Sequence, residues 1–566
     1  MMKKIAFLFL CLLPMLLFGN DLATINSEKF GILTLIPPIV AIALAFITKD
    51  VIFSLFIGVF SGTFMICIAN HSFFASFLKG FVELSNRIVK SMADPWNAGI
   101  ILQVLAIGGV VALVTRMGGT KAVAKWLSKK AKSHKSAQIS TWFMGLFVFF
   151  DDYANALIVG PVMRPVTDKF KVSREKLAFI IDATAAPISG IAIISTWIGY
   201  ELSVIKSSYE IIGMTDVNAF AIFLETIPYR FYNILMIIFV FATAIMSREF
   251  GPMYKAEIRA RTTGVTISKN EIKMDDIEDK SLLPKEGVKL LVSNALIPIL
   301  ALMISSIMGF YINGYNALEG EILENVKNAP FSLLALRETF GNADASVVLF
   351  QAALFATIIA IFMGAYRKIF SISEAINVWL KGWKTMIITI VILLLAWSLS
   401  SVIKDLGTSK YLVKMLSNNI SYWVLPTVIF IFGSFISFST GTSYGTMGIL
   451  MPLTIPLAFA IGNNSGFDTQ MLHSYVIMNI GAVLTGAIFG DHCSPISDTT
   501  ILSSMGSGCN HMDHVSTQMP YALLIGFISV IFGYIPVAFG FNVWLSLTVA
   551  IVSIFVILRV IGKKVE

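Results

Sequence analysis

RMGGTKAVAKWLSKKAKSHKSAQ, residues 116–138, carries seven basic residues (Arg116, Lys121, Lys125, Lys129, Lys130, Lys132 and Lys135) and no acid. Short loops rich in lysine and arginine stay on the cytoplasmic side of a bacterial membrane, so this loop is expected inside the cell and anchors the topology. The next polar stretch, 164–176, holds Arg164, Lys169, Lys171, Arg174 and Lys176 against Asp168 and Glu175 and is expected on the same side. The segment between them, with about 25 residues, is too short for two full crossings at 1.5 Å per residue. It reads as a re-entrant hairpin with its tip at Asp151-Asp152-Tyr153-Ala154-Asn155. Such a polar cluster is tolerated at membrane depth only where protein or water surrounds it.

Working outward, the rest of the chain is a membrane sequence. Of 566 residues, 56% are hydrophobic and only 13% charged, with a mean hydropathy of +0.80; a soluble fold could not cover that apolar surface. Runs of membrane-spanning length recur from Phe30 to Leu558, giving about eleven transmembrane helices besides the hairpins. The net charge of +8 resides mainly in short loops, where it sets topology and does not point to nucleic acid. The four cysteines, Cys11, Cys67, Cys493 and Cys509, lie in or beside apolar segments and form no disulfide framework. Residues 1–20 read as a signal peptide or signal anchor, with Lys3 and Lys4 ahead of an apolar run.

Charge parity then divides the chain. Residues 21–247 form a first unit, 248–288 a charged cytoplasmic linker, 289–540 a second unit, and 541–566 an extra helix with a cytoplasmic C-terminus. The loop 313–344 is acidic and is expected outside. A second interrupted apolar segment, 422–461, then opens outward as the counterpart of the first hairpin. The expectation is an all-α polytopic protein of two inverted-topology repeats, each with a re-entrant hairpin and a broken helix. Internal matches support it: FLKGF at 77–81 against WLKGW at 379–383, Tyr153, Pro161 and Pro165 against Tyr444, Pro452 and Pro456, and Pro187-Ile188-Ser189 against Pro495-Ile496-Ser497.

Transporters of this kind bind near the midplane, where helices break. The expected breaks are 151–155, 184–190, 437–446 and 490–500. An intramembrane carboxylate is costly and by default functional, which singles out Asp151, Asp152, Asp491 and Asp498. Sodium is a hard cation that prefers oxygen; Asn155, Ser189, Ser439, Thr440, Thr442, Ser443, Ser494, Ser497 and Thr499 supply neutral oxygens. Proton and sodium can compete for one desolvated carboxylate, and competition with alternating access is antiport. Asp182 corresponds roughly to Asp491 and reads as its structural counterpart. Glu225 and Arg230, within the helix from Phe220, read as pairing structurally or snorkelling, and no arginine stands beside the hairpin tips to clamp an organic carboxylate. His492, His511 and His514 are candidates for pH sensing, the last two in a loop after the crossing. Their spacing with Cys493 and Cys509 is not a zinc pattern.

The motifs Gly490-Asp491-His492-Cys493-Ser494-Pro495-Ile496-Ser497-Asp498-Thr499-Thr500, Cys509-Asn510-His511, His514-Val515-Ser516-Thr517-Gln518-Met519-Pro520-Tyr521 and Phe150-Asp151-Asp152-Tyr153-Ala154-Asn155 resemble the NhaC-type sodium/proton antiporter family of the ion-transporter superfamily. The resemblance implies a secondary transporter of the inner membrane, not an enzyme, with paired hairpins, a mobile transport domain, and a homodimer. Sodium ions and protons are its expected partners besides lipid, and no cofactor is implied. The family also includes carriers of organic and amino acids, so coupled transport of such a solute is the alternative reading. Single cysteines placed at Lys130 and Lys171 are expected to react with an impermeant maleimide from the same side of the membrane; labelling from opposite faces would contradict the hairpin.

Overall fold

The computed structural model describes residues 22–565, apart from 49, 70, 129–130, 150–151, 194, 269–283, 285–286, 417–419 and 496. The expected signal segment and Asp151 therefore lie outside the described residues. Among those described, nine helices are long and apolar enough to cross a membrane: Ala23–Leu44, Pro95–Arg116, Ser293–Ala317, Ala345–Tyr366, Ile387–Leu406, Ser443–Asn464, Thr469–Cys493, His511–Ala538 and Val543–Ile561. A further pair, Ala219–Tyr229 with Phe231–Met246, is apolar enough when taken together but is bent by 49° at its break. Read as one straight crossing, 220–246 is thus corrected to a broken one. Pro228 removes a backbone donor, a short 3-10 turn fills Ile227–Tyr229, and Arg230 separates the two helices. Ile52–Ile68 and Leu425–Thr440 are shorter apolar helices.

Ten helices surround the interruptions: α1 (His134–Phe147), α2 (Asp152–Lys169), α3 (Arg174–Ala183), α4 (Ile198–Ile211), α5 (Phe231–Met246), α6 (Leu425–Thr440), α7 (Ser443–Asn464), α8 (Thr469–Cys493), α9 (Asp498–Ser507) and α10 (His511–Ile528). The helices α1 and α2 form one hairpin, α6 and α7 another. Each second arm begins with a polar residue and a tyrosine, Asp152-Tyr153 and Ser443-Tyr444, and carries two prolines, Pro161 and Pro165 or Pro452 and Pro456. The second tip is a tight turn. Gly441 takes φ +68° and donates its amide to Ser437 O at 2.8 Å, and Thr442 accepts from the Gly445 amide at 3.4 Å to cap α7.

Small residues let these helices approach to backbone contact. A Cβ on Gly490 of α8 would lie 2.6 Å from Phe438 N and 2.7 Å from Ser437 Cβ of α6. One on Gly160 of α2 would lie 2.6 Å from Gly506 O of α9. In a medium as apolar as the side chains, such packing replaces the hydrophobic drive between helices. The FLKGF and WLKGW motifs fall in the helices Phe73–Ala93 and Ile372–Thr385, each of which buries one narrow stripe: Ser76, Gly80, Leu84 and Arg87, or Ala375, Val378 and Gly382.

The linker is more than a loop at its start. Helix Gly251–Thr263 docks on the first turn of α3, where Arg259 pairs with Glu175 at 2.8 Å and Glu257 accepts the Ser173 amide at 2.7 Å. The strand Arg248–Glu249 pairs antiparallel with Lys563–Lys564, joining the C-terminal tail to this face. Beneath it Lys176 and Glu249 form a buried ion pair at 2.8 Å. Replacing Gly160 with valine is expected to destabilise the purified protein by about 1–3 kcal/mol through overpacking against α9. A thermal melt in detergent checks this, with Phe331→Leu at a 90% exposed position expected to leave the midpoint unchanged.

Candidate functional site

In the second half, three elements meet where α8 stops. Asp491, buried in the last turn of α8, accepts from Ser443 Oγ at the start of α7 at 2.9 Å and is faced by the Ser497 hydroxyl ahead of α9. Side chains from other elements bond carbonyls around this break. Ala487 O receives Ser437 Oγ at 2.5 Å and lies 3.2 Å from Ser443 Oγ, and Phe438 O receives Ser494 Oγ at 2.6 Å. Ser497 and Thr499 hydroxyls lie 2.9 Å apart. Among the described residues no lysine or arginine pairs with Asp491. Asp498, the first residue of α9, is exposed and accepts from the Tyr153 hydroxyl at 3.3 Å, so the tip of the first hairpin meets the broken helix of the second half.

The first half has its own cluster. Asn155 is fully buried; its amide donates to Gly145 O at 2.8 Å and Thr184 O at 2.7 Å, tying α2 to α1 and to the end of α3. Its carbonyl oxygen has no hydrogen-bond partner among the described residues. Ser189 donates to Phe149 O at 3.1 Å, and Asp152 is buried at the head of α2. Asp182 lies one residue before the end of α3, as Asp491 lies near the end of α8. It accepts from Gln518 Nε2 at 2.7 Å and Ser503 Oγ at 3.5 Å.

The expected neutral oxygens are therefore not equivalent. Ser443 and Ser497 touch Asp491, while Ser439 bonds Phe435 O of its own helix at 2.9 Å and Thr440 bonds Ser437 O at 3.5 Å. The histidines need a correction. Asn510 caps α10 by accepting the Met512 and Asp513 amides at 3.0 and 3.2 Å, so His511 and His514 lie in a helix rather than a loop, and His514 is fully buried. His492 is also buried, with Nδ1 2.7 Å from the Tyr232 hydroxyl.

Sequence reasoning missed a stitch at the first break. Arg230 is fully buried and donates to Glu201 Oε2 at 2.6 Å, to Thr226 Oγ1 at 3.0 Å, and to the carbonyl of Gly190. An arginine does stand at a helix break, but Glu201 occupies its charge. The signal was present: Arg230 follows Pro228, and Glu201 stands within an apolar stretch, Ile198 to Ile205, that reads as membrane-buried.

Among the described residues, nine helices of membrane-spanning length, two of the chain's hairpins, and helices broken around buried carboxylates define a multi-pass secondary transporter of the membrane. The chain belongs to the Na+/H+ antiporter family, whose sequence profile matches residues 190–537. It is 33% identical over 534 residues to a protein of Haemophilus influenzae described as uncharacterized, covering 94% of this chain and 95% of that one. It is 34% identical over 102 residues to an uncharacterized Na(+)/H(+) antiporter of the same organism, covering 17% of this chain and 19% of that one. It is 37% identical over 100 residues to the malate-2H(+)/Na(+)-lactate antiporter of Bacillus subtilis, covering 18% of each.

Arg230→Met is expected to cost about 3–5 kcal/mol by stranding the Glu201 carboxylate. A double Arg230→Met, Glu201→Met variant is expected to recover most of that loss, and melting temperatures of the three proteins check it.

Proposed function

We infer that the protein exchanges sodium ions for protons across a bacterial inner membrane by alternating access, as an NhaC-type member of its family. The observation that carries this reading is Asp491, a buried carboxylate with the Ser443 and Ser497 hydroxyls as partners and no basic residue paired to it among those described. A charge in that position calls for a counter-ion, and in the absence of one it takes up a proton. Sodium suits the oxygen set, with Ser443 against the carboxylate and Ser497, Asp498 and Thr499 following the break. Asp498 at the exposed seam with Tyr153 is a natural entry carboxylate.

Alternation requires that one bundle move against another. The two halves, with a hairpin and a broken helix each, are read as an inverted repeat that would supply the two equivalent arrangements. On this reading the face bearing 164–176 and the C-terminal tail is cytoplasmic, and the protein works as a homodimer in the lipid bilayer.

A second reading is coupled transport of an organic acid or amino acid. A cavity of about 250 Å³ is lined by Lys90, Lys206 and Lys404 together with Asp94, Glu210 and Trp96, and the Bacillus relative is named for malate and lactate. The test is cation-evoked proton movement in everted vesicles, followed with a pH-sensitive dye. Sodium is expected to alkalinise the lumen, and Asp491→Asn and Asp498→Asn are each expected to return the signal to that of empty vesicles. No sodium response from verified protein under an imposed pH gradient would contradict the antiport, and labelled carboxylic and amino acids would then discriminate the second reading.

A further inference from the structure

We propose that Asp182 is a proton-binding site distinct from the Asp491 cation pocket, loaded from the face that carries Arg164 and Arg174 through His511, Ser504 and His514. The proposal rests on the proton-coupled exchange inferred above, but its geometry is independent of Asp491.

The path is continuous at its outer end. His511, half-buried in the first turn of α10, places Nδ1 3.1 Å from Ser504 Oγ and Nε2 2.6 Å from Pro495 O. Ser504 Oγ lies 2.8 Å from His514 Nδ1, and His514 Nε2 lies 2.9 Å from Gln518 Oε1 and 3.8 Å from Asp182 Oδ2. Asp182, His514, Ser504 and Gln518 are all buried. The same end of the molecule holds Gly508, whose carbonyl accepts from Arg174 at 3.2 Å, so His511 stands at the basic face and Asp182 about two turns of α3 deeper.

The hydrogen-bond inventory assigns the protons. A carbonyl can only accept, so His511 carries its proton on Nε2, facing Pro495 O. Gln518 Nε2 donates to Asp182 and to the His492 carbonyl, so its Oε1 must accept, and His514 also carries its proton on Nε2. Both Nδ1 atoms then face Ser504 as acceptors. The hydroxyl has one proton for three acceptors, these two nitrogens and the Thr500 carbonyl at 2.7 Å. The network is short of one proton, and a single added proton completes it: His511 Nδ1–H donates to Ser504, and Ser504 donates to His514 Nδ1.

Transfer inward follows with every proton accounted for. A proton arriving on His511 Nδ1 passes to Ser504 Oγ as the hydroxyl proton moves to His514 Nδ1. His514 then releases its Nε2 proton to Asp182 Oδ2, swinging away from Gln518 to close the 3.8 Å gap. His514 ends neutral in the other tautomer and Asp182 ends as a carboxylic acid. One proton has moved from the face to Asp182.

The surroundings couple this site to the cation. Asp182 is faced by Asp491 and Cys493 of α8, Tyr232 of α5, Thr500 and Ser503 of α9, and Gln518 and His514 of α10. His514 is faced by His492 and His511 besides Asp182. Near the entrance stand Arg164, Arg174, Glu175 and Asp513, the last bonded to Ser268. Two buried carboxylates within electrostatic reach resist ionising together. A cation at Asp491 therefore favours ionised Asp182 and expels its proton, while an empty cation pocket favours a proton held on the pair. By linkage the coupling is reciprocal.

The test uses the full-length protein in liposomes with two readouts: sodium-evoked proton movement, and radiosodium exchange at equal sodium on both sides, which needs no net proton transfer. Asp182→Asn is expected to lose about 100-fold or more in proton movement while keeping isotope exchange within about twofold, and His514→Gln to slow proton movement about tenfold with isotope exchange intact. Proton movement retained in Asp182→Asn, or both readouts lost from a protein with an unchanged melting temperature, would overturn the proposal. Should Asp182→Asn fail to fold, His514→Gln decides it by the same criteria. If the wild-type protein shows no sodium-evoked proton movement, the antiport reading fails separately, and infrared difference spectra on acidification then judge Asp182 alone. A carboxylic carbonyl band that is lost in Asp182→Asn supports the site, and its persistence in the variant refutes it.

Discussion

A helix that stops inside an apolar medium leaves carbonyl and amide groups that no water can reach, and each must find a partner in the protein. The central architecture follows from that requirement. At one break the Gly190 carbonyl is held by Arg230, and the Thr184 carbonyl by Asn155. At the other, the His492 carbonyl is held by Gln518 and Phe438 O by Ser494. The residues that satisfy the breaks come from neighbouring helices rather than from the broken ones, so hairpins and broken helices are obliged to pack as one body. Gly490 against α6 and Gly160 against Gly506 provide the close approach this needs.

The two breaks are closed by different chemistry. The first uses charge: Arg230 and Glu201 are both fully buried, and the pair is kept because losing either member leaves an uncompensated ion. The second uses serine hydroxyls, the Gln518 amide and His511, and leaves Asp491 without a fixed counter-ion among the described residues. That asymmetry matters for transport, because a carboxylate already neutralised by arginine has no need of a cargo cation, whereas one cradled by serines does. At the face with the loops and the tail, Lys176 pairs with Glu249, and the strand Arg248–Glu249 holds Lys563–Lys564.

Much of the fold was legible because the membrane imposes it. Span length, the paired prolines, and the polar tips at Tyr153 and Tyr444 are one-dimensional signals, and the helices begin one residue before each tyrosine. What escaped depends on three-dimensional partnership. The bend at Arg230 needs Pro228 and Glu201 together, 27 residues apart in sequence by position number, and hydropathy averages both away. Of the candidate oxygens, Ser443 and Ser439 look alike in a polar run, yet the helix start at Ser443 aims one at Asp491 while Ser439 spends its hydroxyl on its own helix. The helical setting of His514 escapes sequence reading because Asn510 stands nine residues before the proline-containing apolar run that starts at Met519; the cap at Asn510 extends α10 back over His514 and buries it. Asp182 was recognised as a counterpart of Asp491, but its connection to Gln518 and His514 spans elements far apart in the chain.

The central claim is that cation and proton are exchanged at buried carboxylates, and calorimetric titration of sodium into purified protein in weakly buffered solutions of different pH tests it most directly. Linkage requires that each sodium bound release protons and that sodium affinity fall as the pH is lowered. Proton release on binding, abolished in Asp491→Asn, is the predicted result. Sodium binding with no proton release and no pH dependence, or no sodium binding by protein that is folded, would contradict the account.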